Sequence, residues 1–207
     1  MTPNPTVYVV DDDSGVRRSL QAAMESAGYR ALAFSSAEDF LDQRDLASPA
    51  CMILDLRLKG MSGLQLMEQL RLRMRSVSVV MLTGHGDVPA AVQSMKLGAV
   101  EFLEKPVDRE RILAAVREAL RREDNRLTQA DEARESALRL SGLTDREAEL
   151  LRQLMLGKSS KVIGAEMGIS TRTVENHRSH LLAKTGAENV AELVRLGVMA
   201  GIRPTRP

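Results

Sequence analysis

The chain has 207 residues, 43% of them hydrophobic, and a formal net charge of +1, enough apolar material for one large or two small globular domains. With 28% charged residues, no apolar run approaches the roughly 18 residues of a membrane-spanning helix, and residues 1–6 lack the basic start and apolar run of a secretory leader. The single cysteine, Cys51, excludes an internal disulfide, and 2% aromatics without Trp argue against base stacking as a mode of recognition, so a cytoplasmic protein without membrane contact is expected.

Residues 1–120 alternate short apolar runs with amphipathic patterns. Val7–Val10 reads as a buried strand and Val16–Ala27 as a helix ending at Gly28. Strands are expected at Ala31–Phe34, Cys51–Leu54, Val77–Leu82 and Val100–Leu103. Helices are expected at Ala37–Arg44, Gly63–Arg73, Pro89–Leu97 and Arg109–Arg122. Five strand–helix units with continuously apolar strands specify an α/β fold with a five-stranded, doubly wound parallel sheet.

Residues 121–140 are dense in charge and lack Pro and Gly. Leu113, Leu120 and Leu127 recur every seven residues, so the last helix could run on through this linker; a solvated, flexible linker fits equally well. From 141 to 207 every pattern is helical, giving a small all-α domain. Thr144 followed by Glu147 forms a capping box. Further helices are expected at about Ser160–Met167, Arg172–Lys184 and Val190–Ala200. Charge is uneven: residues 1–120 carry −2, 121–137 carry −1 and 138–207 carry +4, a modest sign of a polyanion bound at the C-terminal end.

The informative residues of the first domain sit where strands end. Asp11-Asp12-Asp13 follow the first strand, Asp55 the third, Thr83 the fourth and Lys105-Pro106 the fifth. In a doubly wound sheet these ends converge on one crevice. Carboxylates gathered there repel one another unless a cation neutralises them, and hard oxygen ligands suit Mg²⁺. Mg²⁺ beside a carboxylate favours phosphoryl transfer, with a lysine and a hydroxyl to grip the phosphoryl oxygens. A single Asp at such a turn is more simply a helix cap. A Mg²⁺-dependent phosphohydrolase working through an aspartyl phosphate is the competing reading, but it leaves Asp55 and the helical domain without a role.

The set Asp11-Asp12, Asp55, Thr83, Phe102 and Lys105-Pro106 resembles the flavodoxin-like receiver domain of two-component response regulators over residues 5–120. The resemblance implies that Asp55 accepts a phosphoryl group from a sensor histidine kinase. It implies that Asp12 and Asp55, with the backbone carbonyl of Arg57, hold Mg²⁺, Asp11 acting mainly through a metal-bound water. Lys105 would contact the phosphoryl group across a cis Lys105-Pro106 peptide, and Thr83 and Phe102 would form the switch pair. After the acceptor the family usually reads Met-Pro-Gly; here Leu58-Lys59-Gly60 stands instead, which predicts a looser loop. Phe102 replaces a frequent Tyr.

The C-terminal segment, with Leu143-Thr144-Asp145-Arg146-Glu147, Lys161–Ser170 and Thr173–Arg178, resembles the LuxR-type helix-turn-helix, nearest the FixJ-like branch of the NarL class. Ile163, Met167, Val174, Leu181 and Leu182 form its apolar seam. Candidate DNA contacts are Lys161, Thr171, Arg172, Thr173, Glu175, Asn176, Arg178, Ser179 and Lys184. Asn176 and Glu175 are expected at base edges, and Lys161, Arg172, Arg178 and Lys184 on phosphates. His177 and His180 lack a third nearby ligand and read as packing or phosphate contacts rather than a metal pair. The resemblance further implies promoter DNA as a partner, a phosphorylation-dependent homodimer and contact with RNA polymerase.

Overall fold

The computed structural model describes residues 4–43, 46, 50–73, 77–84 and 88–204. The chain divides into two compact units, Met1–Leu127 and Thr128–Pro207. In the first, strands β1 (Thr6–Val10), β2 (Arg30–Phe34), β3 (Ala50–Asp55), β4 (Ser78–Thr83) and β5 (Glu101–Glu104) form one parallel sheet in the order β2-β1-β3-β4-β5. Helices α1 (Ser14–Ser26), α2 (Ala37–Leu41), α3 (Gly63–Leu72), α4 (Val88–Lys96) and α5 (Arg109–Leu140) alternate with the strands.

The two-residue period of the strands sorts their side chains between two cores. Val7, Val9, Cys51 and Ile53 face one apolar layer with Leu20, Met24, Ile112 and Val116 from α1 and α5. Tyr8, Val10, Met52 and Leu54 face the other, with Phe40, Leu66 and Leu70 from α2 and α3. Tyr8 and Phe34 each meet Phe40 edge-on in the second layer, at 5.2 and 5.4 Å, and lie tilted to one another at 6.1 Å. Cys51 lies fully buried, and burial raises its thiol pKa far above the usual range.

Element identities match the sequence-based expectations; the ends move. Helix α1 begins at Ser14 because the Asp13 carboxylate caps it, accepting from the N–H groups of Gly15 (2.7 Å) and Val16 (3.0 Å). The second helix was expected to reach Arg44, a position outside the described residues. Helix α5 continues through 121–140, the segment whose sequence left helix and flexible linker open. No Pro or Gly interrupts it; Glu118 pairs with Arg121 and Arg122 along its surface, and Arg126 pairs with the buried Glu123.

The second unit contains the C-terminal part of α5 and helices α6 (Asp145–Met155), α7 (Ser160–Met167), α8 (Thr171–Thr185) and α9 (Val190–Met199). They enclose a core of Leu140, Leu150, Leu151, Leu154, Ile163, Val174, Leu181, Leu193 and Leu196. Thr144 and Glu147 form the reciprocal capping box on α6. The three-residue turn between α7 and α8 is tight: a Cβ on Gly164 would lie 2.8 Å from the Ile169 carbonyl oxygen. Only glycine admits that approach, which brings α8 against α7.

Candidate functional site

Strand order reverses between β1 and β3, and a doubly wound sheet opens its crevice at such a point, at the carboxyl ends of the strands. Asp11 follows β1 directly and Asp55 is the last residue of β3. Both are buried, 1% and 6% exposed, while Asp12 is half-buried. One carboxylate oxygen from each of Asp11, Asp12 and Asp55 lies within 4.8 Å of the others. Lys105, just past β5, bridges two of them: its Nζ lies 2.6 Å from Asp11 Oδ2 and 2.9 Å from Asp55 Oδ1. The Lys105-Pro106 peptide is cis.

The electrostatics follow from this crowding. Burial raises the Asp55 pKa, with Lys105 opposing and the neighbouring Asp11 and Asp12 adding to the rise. Burial also works against the Lys105 ammonium, but its hydrogen bonds to Asp11 and Asp55 outweigh that and raise its pKa. Three carboxylates that could hold a cation are therefore gathered here, with one ammonium bridging two of them. These oxygens fit a hard divalent cation. Asp13, the third acid of the run, is committed to capping α1; its carboxyl is held below the usual range by the N–H groups of Val16 and Gly15.

Thr83 ends β4 and is buried beside this cluster; its carbonyl accepts from the Lys105 N–H at 2.6 Å. Phe102 is half-buried on β5, packed against the layer of α2, α3 and α4. Arg57 is exposed, two residues past Asp55. The loop after Asp55 is fastened by residues that local pattern does not reveal. Glu38 of α2 accepts the Met61 N–H at 2.9 Å across 23 positions of sequence. A Cβ on Gly63 would fall 2.3 Å from the Asp55 carbonyl oxygen, so only glycine lets α3 start this close to the end of β3. Lys59, in the place of the family's proline, is exposed and reaches within 3.9 Å of Asp12 Oδ2.

In the second unit the candidate DNA residues fall into two groups. Lys161, Thr171, Arg172 and Asn176 are exposed and have no side-chain partner among the described residues. The others are engaged. Thr173 and Ser170 pair hydroxyls at 2.8 Å in the α8 cap. Ser179 donates back to the Glu175 carbonyl at 3.2 Å. Glu175, expected at a base edge, binds Ser160 and Arg178, and Arg178 also donates to Ser160 at 3.1 Å. Lys184 lies 2.6 Å from the Glu147 carboxylate, whose pKa is lowered to about 2 first by Lys184 and then by the Thr144 N–H. Lys158, passed over in the sequence, is similarly held by Glu166 at 2.6 Å. Among the described residues no helix is long and apolar enough to cross a membrane.

Comparison with known proteins agrees with this division. Residues 7–117 match the response regulator receiver domain, and residues 141–197 the bacterial regulatory proteins of the luxR family. The chain is 43% identical over 198 residues to the transcriptional regulatory protein FixJ of Azorhizobium caulinodans, covering 96% of this chain and 94% of that protein. Among solved structures, the response regulator StyR superimposes with a TM-score of 0.77 at 37% identity, covering 93% of this chain and 98% of StyR. Full-length FixJ from B. japonicum superimposes with a TM-score of 0.60 at 37% identity, covering 98% of this chain and all of that one. An acidic crevice at the switch point of a receiver fold, joined to a LuxR-type helix-turn-helix and similar to FixJ along nearly its whole length, identifies the chain as a member of the FixJ-like response regulators, phosphorylation-dependent regulators of transcription.

Proposed function

We propose that Asp55 is the phosphoryl acceptor and that its phosphorylation by a sensor histidine kinase drives dimerisation and sequence-specific binding to promoter DNA. The observation that carries this reading is the convergence of Asp11, Asp12 and Asp55 on one point with Lys105 bridging Asp11 and Asp55. Asp12, Asp55 and the Arg57 main-chain carbonyl would hold Mg²⁺, Asp11 acting through water; when bound, the ion offsets the charge that develops on the transferring phosphoryl oxygens. An Asp55 carboxylate oxygen forms the new P–O bond as the P–N bond to the kinase histidine breaks. Lys105, already beside the Asp55 carboxylate, leaves it for the phosphoryl oxygens. The product replaces the single carboxylate charge by a phosphoryl group carrying roughly −1.5 to −2 charges and three acceptors at the buried end of β3. Thr83 turns its hydroxyl towards them and Phe102 follows into the space it leaves. Water attacking phosphorus in the same pocket releases phosphate and restores the Asp55 carboxylate, so the only reactions are phosphorylation of the chain itself and its reversal.

Helix α4 lies next to this switch and carries Val88, Val92 and Met95 at i, i+4 and i+7, 70%, 49% and 49% exposed. An apolar stripe of this kind suits a second copy, so the α4–β5–α5 face is the dimer surface. In the second unit α8 enters the major groove, Asn176 reads a base edge, and Lys161 and Arg172 hold phosphates. The bound dimer then meets RNA polymerase at the promoter, in the cytoplasm.

Mass spectrometry after treatment with acetyl phosphate and Mg²⁺ tests the acceptor: the label belongs on the peptide containing Asp55, and a label elsewhere rejects it. Sedimentation of the same sample tests the dimer. Phosphorylated protein should be dimeric at tens of micromolar and Val92→Asp monomeric; a monomeric wild type would remove dimerisation from the scheme.

A further inference from the structure

Both matched regions leave residues 118–140 unassigned, yet the end of α5 is built into the helical unit. Ser136 is buried there, and Leu140 belongs to its core. Between them Arg139, half-buried, makes two contacts. Its Nε donates to the main-chain carbonyl of Thr185 at 2.8 Å, and its Nη2 to Glu192 Oε1 at 3.2 Å.

The chemistry of these partners gives the contacts a purpose. Thr185 is the last residue of α8, so its carbonyl is one of the terminal acceptors that a helix cannot satisfy internally. A guanidinium there both donates the missing hydrogen bond and meets the negative end of the helix dipole. Glu192 is in the first turn of α9, and its other carboxylate oxygen accepts the Glu188 N–H at 2.8 Å. Arg139 thus ties the start of α9 and the end of α8 to α5. Lys184 ties the same turn of α8 to Glu147 of α6.

We infer that Arg139 is a positioning residue for DNA recognition: it fixes the C-terminal end of α8 and thereby the angle at which the N-terminal half, with Asn176, meets DNA. The inference rests on α8 being the recognition helix. A residue touching no DNA would then control sequence-specific affinity while leaving phosphate contacts made elsewhere intact. Glu192 shares the role through one of the two contacts, and lysine at 139 keeps the charge but not the two-armed geometry.

The test uses the full-length phosphorylated protein with Arg139→Ala, Arg139→Lys, Glu192→Gln and Asn176→Ala. Two duplexes are compared: the genomic fragment that wild-type protein selects most tightly, and a random sequence of equal length. Arg139→Ala should lose about tenfold on the selected fragment and under about twofold on the random duplex, with Arg139→Lys and Glu192→Gln between it and wild type. Hydrogen exchange should rise about tenfold in residues 181–187 while residues 160–167 keep their protection. Unchanged exchange in 181–187 would mean that Arg139 anchors nothing. Exchange rising throughout the helical unit, with equal losses on both duplexes, would reduce it to general stability. Local loosening without loss on the selected fragment, while Asn176→Ala still weakens that fragment, would overturn the positioning role and leave α8 as the reader. If Asn176→Ala costs nothing on that fragment, the reading of α8 itself falls, and the inference with it.

Discussion

The phosphoryl pocket and the DNA-binding face use charge in opposite ways. In the pocket, three carboxylates and one ammonium are drawn together below or near the surface, and the sheet gives them no freedom to separate. On the helical unit the charges are spread over exposed helices, and several cations are already satisfied by the chain's own acids: Lys158 by Glu166, Arg178 by Glu175, Lys184 by Glu147. The first arrangement concentrates like charge that Lys105 offsets in part and that a divalent cation would offset further. The second leaves Lys161, Arg172 and Asn176 as open groups among paired charges. Chemistry needs the crowded site; a sliding, salt-sensitive search along DNA needs the restrained one.

Removing one carboxylate should break the crowded site outright. Asp12→Ala takes away charge and a ligand together, so phosphorylation from acetyl phosphate at millimolar Mg²⁺ should be lost while circular dichroism shows a folded domain. Normal labelling of that variant would show that Asp12 is not a ligand.

The two regions should also fail separately when packing is disturbed. Gly63→Ala drives a methyl group against the Asp55 carbonyl, and Gly164→Ala drives one against the Ile169 carbonyl. Each should cost roughly 1–3 kcal/mol, the usual range for overpacking against backbone. Thermal or urea melting should show the loss in the receiver for the first and in the helical unit for the second. A loss appearing in the other unit in either case would contradict the assignment of these contacts.

On the open face, Asn176→Ala should cost about 1–3 kcal/mol on a specific site and little on random DNA. Lys161→Ala should weaken both and reduce the salt slope by roughly one unit. Binding measured across a salt series separates the two, and equal losses on both DNAs for Asn176→Ala would disqualify it as a base reader.

The smallest effect expected is on pH dependence. The Glu147 pKa in the folded protein, about 2, lies below its ordinary value near 4.5, so its contribution is present above about 4.5 and lost as pH falls towards 2. The Glu147 side chain is 17% exposed but its Lys184 partner is 39% exposed, so after screening the gain is under about 1 kcal/mol. Glu147→Gln should flatten acid destabilisation of the helical unit between those limits. An unchanged acid profile would mean that the Lys184 pair contributes nothing measurable.

The difference between the regions also decided what the sequence made legible. Strand ends are fixed by apolar periodicity, and the switch point of the sheet brings Asp11, Asp55, Thr83 and Lys105 together whatever the loops do; the pocket could be read from order alone. Asp13 stood in the same acidic run without a role of its own, because a cap and a ligand look alike in sequence. Glu38 and Arg139 left no local signal, since their partners lie 23 and 46 positions away. On the helical unit, sequence separated buried from exposed positions of α8 but not free from paired ones: Glu175 and Asn176 are adjacent and both polar, yet the first is bound to Ser160 and Arg178 and the second is open. The helical run through 121–140 stayed open because charge density suits a solvated linker as well as a helix laced with i,i+3 and i,i+4 pairs.

The central claim is that charge added to Asp55 is what turns the restrained face into a tight DNA binder. Binding to genomic fragments, with and without acetyl phosphate and Mg²⁺, for wild type and Asp55→Asn, tests it most directly. Wild type should gain affinity for a subset of fragments only when phosphodonor and metal are both present, and Asp55→Asn should stay at the unstimulated level. Equal stimulation of Asp55→Asn, or tight selective binding by untreated wild type, would contradict it.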